Sequence, residues 1–381
     1  MTTSSVTPTS TPAPMIDPPV AKKPAIKAWA ALGAAFVIFQ LYIYFKWITG
    51  PYFKPVPSGP TEVPMFMQVM VWIWIPGGIL GMLWCLHRFL IKPWRRDGRP
   101  SRDGLFVVGW ISVYWQDPLV SYFNNQFTWS AIVPNMGGWT AEVPGWQAPS
   151  SPGATMVEPV PFNLPLYVYA LFTVCMLCNL IMRKTRERFP TIGTLGLIAV
   201  AWAFMALFDL FMEVSWGVMG FYSYPGARHD FSVFHGHYYQ FPLYEPILWG
   251  ACWAGVACLR YFRNDKGETL AERGLSRLTV SNRAKTVLRF LGVIAACNLC
   301  YLGYIIAFNL MGMKADDWPA DIQQRSYLTA HLCGPDSGQL CPTSTTPIPK
   351  QGGVHFDQFG NLVVPPGVPA PATGSITQFV K

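Results

Sequence analysis

The chain has 381 residues, of which 51% are hydrophobic and 13% charged, with a formal charge of +8. A soluble protein carries about 25% charged residues, so the composition excludes an ordinary water-soluble enzyme and points to a membrane protein. The basic residues cluster between long apolar blocks, where membrane topology and anionic headgroups account for them without any nucleic acid.

Residues 1–27 are rich in Thr, Ser and Pro ("TTSSVTPTSTPAP") and hold too little apolar surface to fold, which predicts a disordered cytoplasmic leader. The first apolar run is of spanning length, longer than the core of a cleaved signal peptide, and reads as a permanent helix. Seven stretches, at about 28–48, 66–86, 104–123, 164–182, 191–216, 243–262 and 288–311, each approach the roughly 20 residues that cross a hydrocarbon layer. A bilayer demands that backbone polar groups be satisfied internally, so these are helices. They lack the alternation of barrel strands. The expected fold is therefore all-α, a polytopic bundle of about seven transmembrane helices over residues 28–311.

Short cytoplasmic connections retain Lys and Arg. The segments before the first span, between the second and third, between the fourth and fifth, and between the sixth and seventh hold most of the 28 basic residues. That places the N-terminus in the cytoplasm and the C-terminus outside, in a multi-pass protein of the cell membrane. Residues 124–162 contain no Lys or Arg but carry Trp129, Trp139 and Trp146, as expected of a lid on the outer face. The tail, 312–381, is polar and extracytoplasmic, with a second Pro-rich stretch. It holds Cys333 and Cys341, which either form a disulfide in an oxidising compartment or remain unpaired. The other seven cysteines, Cys85, Cys175, Cys178, Cys252, Cys258, Cys297 and Cys300, lie among apolar neighbours and read as small hydrophobic filler. There is no Walker loop, nucleophile elbow or dinucleotide fingerprint.

A charge at mid-bilayer costs about 2.5–3.5 kcal/mol or more, so acids within spans are retained mostly where they line a cavity or pathway. Four qualify: Asp117 in "VYWQDPLVSYF", Asp209 and Glu213 in "FMALFDLFMEVSW", and Glu245 in "FPLYEPILWG". By the topology above all four lie in the outer halves of the third, fifth and sixth helices, which suggests one pocket opening outward. Asp209 and Glu213, spaced i, i+4, share a helix face. Two carboxyls so close in a partly dry site cannot both ionise cheaply, so one keeps a proton and serves as an acid. Pro242 and Pro246 suit a first helical turn, placing Glu245 near the helix N-terminus, where the dipole favours its ionised form and a role as base or counter-charge. Pro118 removes the bond that the Tyr114 carbonyl would receive, and the resulting kink aims Asp117 inward. His229, His235 and His237 have a spacing compatible with a metal. At an outer surface they read instead as hydrogen-bonding or proton-exchanging groups, and no metal is expected.

"FDLFMEVSWGVMGFYSYPG" followed by "HYYQFPLYEPILWG" resembles the avermectin-type spirocyclase (AveC-like) family of actinobacterial membrane proteins, most clearly over about residues 205–250. The resemblance implies a cyclase or dehydratase acting without a cofactor on an oxygenated, hydrophobic small molecule such as a polyketide or lipid. The type reaction closes a dihydroxy-ketone into a spiroketal with loss of water. Such chemistry needs an acid, a base and stabilisation of an oxocarbenium-like cation. The expected catalytic groups are Asp209, Glu213, Glu245 and Asp117. Tyr239, Gln240 and Tyr244 would orient substrate oxygens, Tyr222, Tyr238 and Trp216 would face the cation, and His235 and His237 would complete the substrate site.

Three rivals share these residues. A cyclase or isomerase of isoprenoid or steroid lipids would use the same acids on another skeleton. A proton-coupled transporter or lipid carrier would use paired carboxyls as a relay, though neither similar halves nor broken midplane helices are visible. A non-catalytic scaffold would not need the acids.

Overall fold

The computed structural model describes residues 24–146, 156–334, 337, 341–343, 354–356, 362–364, 366–367 and 369–370. The expected leader, up to residue 23, and much of the second Pro-rich stretch lie outside the described residues. The chain folds as a helical bundle. Five helices are long and apolar enough to cross a membrane: α1 (Ala25–Thr49), α2 (Met65–Asp97), α4 (Val160–Arg188), α5 (Thr194–Val218) and α7 (Asn282–Gly312). By length and composition they suggest a membrane protein, consistent with several passes. Their outward faces carry large apolar side chains such as Phe45 on α1, Trp72 on α2 and Phe211 on α5, the last 77% exposed. Such surfaces require lipid rather than water as solvent.

The other two expected spans take different forms. At 104–123 the α-helix α3 (Arg102–Ile111), capped at its start by the Ser101 hydroxyl, ends early and the chain continues as a 3-10 helix from Tyr114 to Ser121. Pro118 cannot donate to an α-helical ladder, so carbonyls beside it are freed. The carbonyl one 3-10 turn before it, that of Trp115, accepts instead from Trp139 Nε1 at 2.8 Å, and the segment is tied down further by Asn309 Nδ2 donating to the Leu119 carbonyl at 2.8 Å and Gln126 Nε2 to that of Val120 at 2.9 Å. At 243–262 stands α6 (Tyr244–Tyr261), 18 residues long.

Small residues allow the helices to close on one another. A Cβ on Gly33 of α1 would collide with the Leu291 carbonyl oxygen of α7, and one on Gly250 of α6 would fall 2.8 Å from Ala206 Cα of α5. Asn298 of α7 is a buried hub: its Oδ1 accepts from Trp115 Nε1 and Gln116 Nε2, both at 2.9 Å, and its Nδ2 donates to Ser112 Oγ at 3.0 Å. The irregular 112–121 segment is thereby fixed to α7.

The two ends of the bundle differ. At one, the starts of α1, α5 and α7 and the end of α6 meet the basic connections. At the other, the loop after the 3-10 helix folds over the helices. Its strand β1 (Thr128–Trp129) pairs with β2 (Tyr222–Ser223) just beyond α5. Trp139, fully buried, donates from Nε1 to the Trp115 carbonyl at 2.8 Å and meets Tyr44, Trp47 and Tyr114 edge to face. The beginning of the tail joins this cap. Trp318, Ile322, Tyr327 and Leu328 form a small core of their own, with Cys333 and Cys341 joined as a disulfide. The remaining seven cysteines are free and buried or half-buried.

Candidate active site

Beneath the cap lies a void of about 60 Å³ among α4, α5, α6, α7 and the 3-10 segment. Three of the four expected carboxyls, Asp117, Glu213 and Glu245, line it together with Trp216 and Tyr222. The lining also includes Trp129, Tyr167, Tyr224, Trp249, Tyr301 and Tyr304, and among the described lining residues there is no Lys, Arg or His. Asp209, 0% exposed, stands directly behind, with its carboxyl at hydrogen-bonding reach of Glu245.

Each acid arrives there for a local reason. Asp117 precedes Pro118, and the unwound helix turns it inward, where Tyr167 OH donates to Oδ1 at 2.6 Å and Trp129 Nε1 donates to Oδ2 at 2.9 Å. Tyr301 OH lies 3.4 Å from the same Oδ1 and is hydrogen-bonded to the Tyr167 hydroxyl. Pairing of β1 with β2 brings Trp129 into place beside Tyr222. Glu245 occupies the first turn of α6, as Pro246 suggested, and its Oε1 accepts from Tyr304 OH at 3.2 Å. Glu213, the one half-exposed member, accepts on Oε2 from Tyr224 OH at 2.8 Å, while Tyr222 OH donates to the Glu213 backbone carbonyl at 2.7 Å.

The pairing differs from the one expected from spacing. The i, i+4 partners Asp209 and Glu213 are neighbours, but the Tyr224 hydroxyl turns Glu213 toward the void. Asp209 meets Glu245 across the α5–α6 contact that Gly250 makes close. Neither Asp209 oxygen nor Glu245 Oε2 has a hydrogen-bond donor among the described residues. Two carboxyls that face one another with no other donor are joined only when a proton lies between them.

Six of the expected substrate contacts stand elsewhere. His235 and His237 are exposed on the connection between α5 and α6, and His237 stacks on Tyr239 at 5.1 Å. Tyr238 donates its hydroxyl to the Val218 carbonyl and lies under the Arg325 guanidinium. Gln240 is consumed by the backbone: Nε2 donates to the Tyr224 carbonyl at 2.7 Å, and Oε1 accepts from Gly236 N–H. Tyr244 is buried between Phe231 and Phe308. These groups shape the entry to α6, where Phe241 and Pro242 pair with Ser232 and Val233, and do not face the void. The physical reason is that polar side chains in a tight loop are taken up by its unpaired backbone groups.

One acid was not foreseen. Glu158, 0% exposed, sits just before α4 and contacts Asp117 from behind. Its Oε1 accepts from Tyr114 OH at 2.7 Å and from Asn163 Nδ2 at 3.1 Å, while Oε2 is unpartnered. Being outside any apolar run, it carried no cost that would mark it. The tyrosines were also missed, although Tyr301, Tyr304 and Phe308 recur on one face of α7 at the i, i+3, i+7 spacing that announces a common wall.

Five buried or half-buried carboxyls thus surround one aromatic void. A family model described as Spirocyclase AveC-like matches residues 94–328, a range that holds all five. No curated protein and no solved structure matches the chain.

Proposed function

The chain belongs to the AveC-like spirocyclase family, and on that premise we propose that it is a cofactor-independent membrane cyclase/dehydratase that closes an oxygenated hydrophobic substrate, of polyketide or lipid type, into a spiroketal. The observation that carries the reading is the set of Asp117, Glu213 and Glu245 around one aromatic void without a cationic side chain among the described lining residues. A developing cation would be welcome there, and an anionic substrate would not.

In the proposed reaction one hydroxyl of a dihydroxy-ketone adds to the carbonyl to give a hemiketal. The hemiketal hydroxyl takes a proton and leaves as water. The second hydroxyl attacks the resulting oxocarbenium carbon and gives up its own proton, so the sum is the loss of one water with no change of oxidation state. The Asp209–Glu245 pair supplies the proton to the departing hydroxyl. Glu213, oriented by Tyr224 and the only half-exposed acid of the set, takes the proton from the attacking one. Asp117, held by Tyr167 and Trp129 and backed by Glu158, faces the cation from the opposite wall. The faces of Trp129, Tyr222, Trp216 and Trp249 add cation–π attraction. General acid and base each contribute typically 10²–10⁴-fold.

We further propose seven crossings of the cell membrane, with α3 plus its 3-10 extension and α6 completing the five apolar helices, the N-terminus cytoplasmic and the cap outside. The segregation of the basic connections at the end opposite the cap supports this. Lipid extracts of cells with and without the gene test the function whatever the identity of the compound. A product one water lighter than its precursor, present only with the gene, is expected; extracts identical in composition would overturn the proposal.

A further inference from the structure

A second, larger depression lies at the basic end of the bundle, far from the carboxyls. It is a groove of about 650 Å³ running along the last two turns of α6 and the facing turns of α7, bounded by α1. Its walls are apolar: Trp29 of α1, Gly255, Leu259 and Phe262 of the α6 side, and Leu299 and Cys300 of α7. Gly255 makes the floor, since a Cβ there would meet Cys300 Sγ at 3.2 Å. One end of the groove is closed by two arginines, Arg263 and Arg273.

Those two differ from their neighbours. Arg260 is paired with Asp103 at 2.8 Å and Arg289 with Glu272 at 3.1 Å. Arg263 donates from Nε only to the Arg260 backbone carbonyl, at 3.3 Å, and among the described residues neither Arg263 nor Arg273 has a carboxylate partner. Both side chains belong to exposed residues. Partial burial, then the nearby guanidinium groups of Arg102 and Arg260, push the Arg263 pKa down from its ordinary value, against the smaller opposing pull of Glu272 and Asp103.

We propose that this groove is a binding site for an anionic phospholipid, with an acyl chain lying along α6 and α7 and the phosphate held by Arg263 and Arg273. An apolar slot that opens on the lipid-facing side and ends in unpaired guanidinium groups at headgroup level matches the two halves of such a molecule, and guanidinium forks suit phosphate oxygens. Trp29 stands where an indole is favoured, at the boundary between acyl chains and headgroups. The site is independent of the reaction proposed above.

The test uses the full-length protein in nanodiscs of phosphatidylcholine doped with phosphatidylglycerol, followed by mass spectrometry of the lipid retained on the protein after brief delipidation. The wild type should retain phosphatidylglycerol over phosphatidylcholine by roughly thirtyfold, the combined effect of two arginines at about fivefold each. R263Q/R273Q should lose that preference. R183Q/R186Q, which removes the same charge from exposed positions in the last turns of α4, should keep it. Retention that is indifferent to headgroup, or lost equally in both double variants, would overturn the proposal. Complete displacement by soluble glycerol phosphate would also overturn it, by showing a phosphate site rather than a lipid site. So would a dimer in detergent that R263Q/R273Q dissociates, since a second copy would then fill the groove.

Discussion

The two walls of the carboxyl-lined void are built from the same functional group and treat it oppositely. On the 3-10 wall, both oxygens of Asp117 receive donors, from Tyr167 and Trp129, and Tyr301 supports the Tyr167 hydroxyl. On the helical wall, Asp209 receives none and Glu245 a single long bond from Tyr304. Donors that converge on a carboxylate hold negative charge in place, whereas two unsupported carboxyls facing one another hold a proton between them. In the proposed reaction this contrast would make Asp117 the counter-charge and the Asp209–Glu245 pair the source of the proton.

The helical wall should be the less forgiving. Glu245→Gln or Asp209→Asn, in protein that retains its elution profile and helicity, is expected to lower turnover by about 10²–10⁴-fold, measured as product one water lighter per unit time. Near-normal turnover would erase the distinction between the walls. Asp117→Asn should cost about 10²-fold, the scale of one electrostatic stabiliser, with little change in KM, because it acts on the cation rather than on the neutral substrate. A change confined to KM would make Asp117 a binding group instead.

A smaller effect is expected from Tyr224→Phe, which leaves Glu213 in place but removes its orienting donor at 2.8 Å. Loss of one hydrogen bond of about 1.5–3 kcal/mol to a charged group corresponds to roughly 10–150-fold if it is made fully in the transition state, and less otherwise. Glu268 provides a reference outside the spans. Although its own burial works the other way, N–H groups of Ser276 and Gly274 and the Asn264 side chain hold its carboxyl at about 2. A folded-state value below the ordinary 4.5 stabilises the protein fully above that pH and ceases to do so as pH falls through about 2. Glu268→Gln should therefore reduce thermal stability by about 1–3 kcal/mol at neutral pH, by a margin that shrinks on acidification, and leave turnover unchanged.

Much of this architecture was legible because an acid in an apolar helix is expensive. Asp117, Asp209, Glu213 and Glu245 stood out for that reason, and the structure gathers them around one void. Helix positions were legible from apolar length. What spacing could not reveal was which carboxyls meet: Asp209 turns to Glu245 because two glycine-closed helices touch there, a property of packing and not of period. The conspicuous block at 234–244 lies away from the void. Its Gln240 satisfies a loop backbone and its histidines face outward, since a chain that must turn sharply into α6 uses polar side chains to replace missing ladder bonds. Glu158 was silent because it lies in a loop, and the folded start of the tail because Trp318 and Tyr327 close with residues about 200 positions earlier through contacts such as the Thr128 hydroxyl to the Leu328 carbonyl.

The central claim is that the void stabilises a cationic ring between its walls. It can be tested without the natural substrate by titrating the purified protein with a hydrophobic cyclic amine, protonated at neutral pH, and with the carbocycle of the same shape. Binding of the amine at least about tenfold tighter, with the preference abolished by Asp117→Asn, is the predicted result. Equal affinity for the two rings in the wild-type protein would contradict the account.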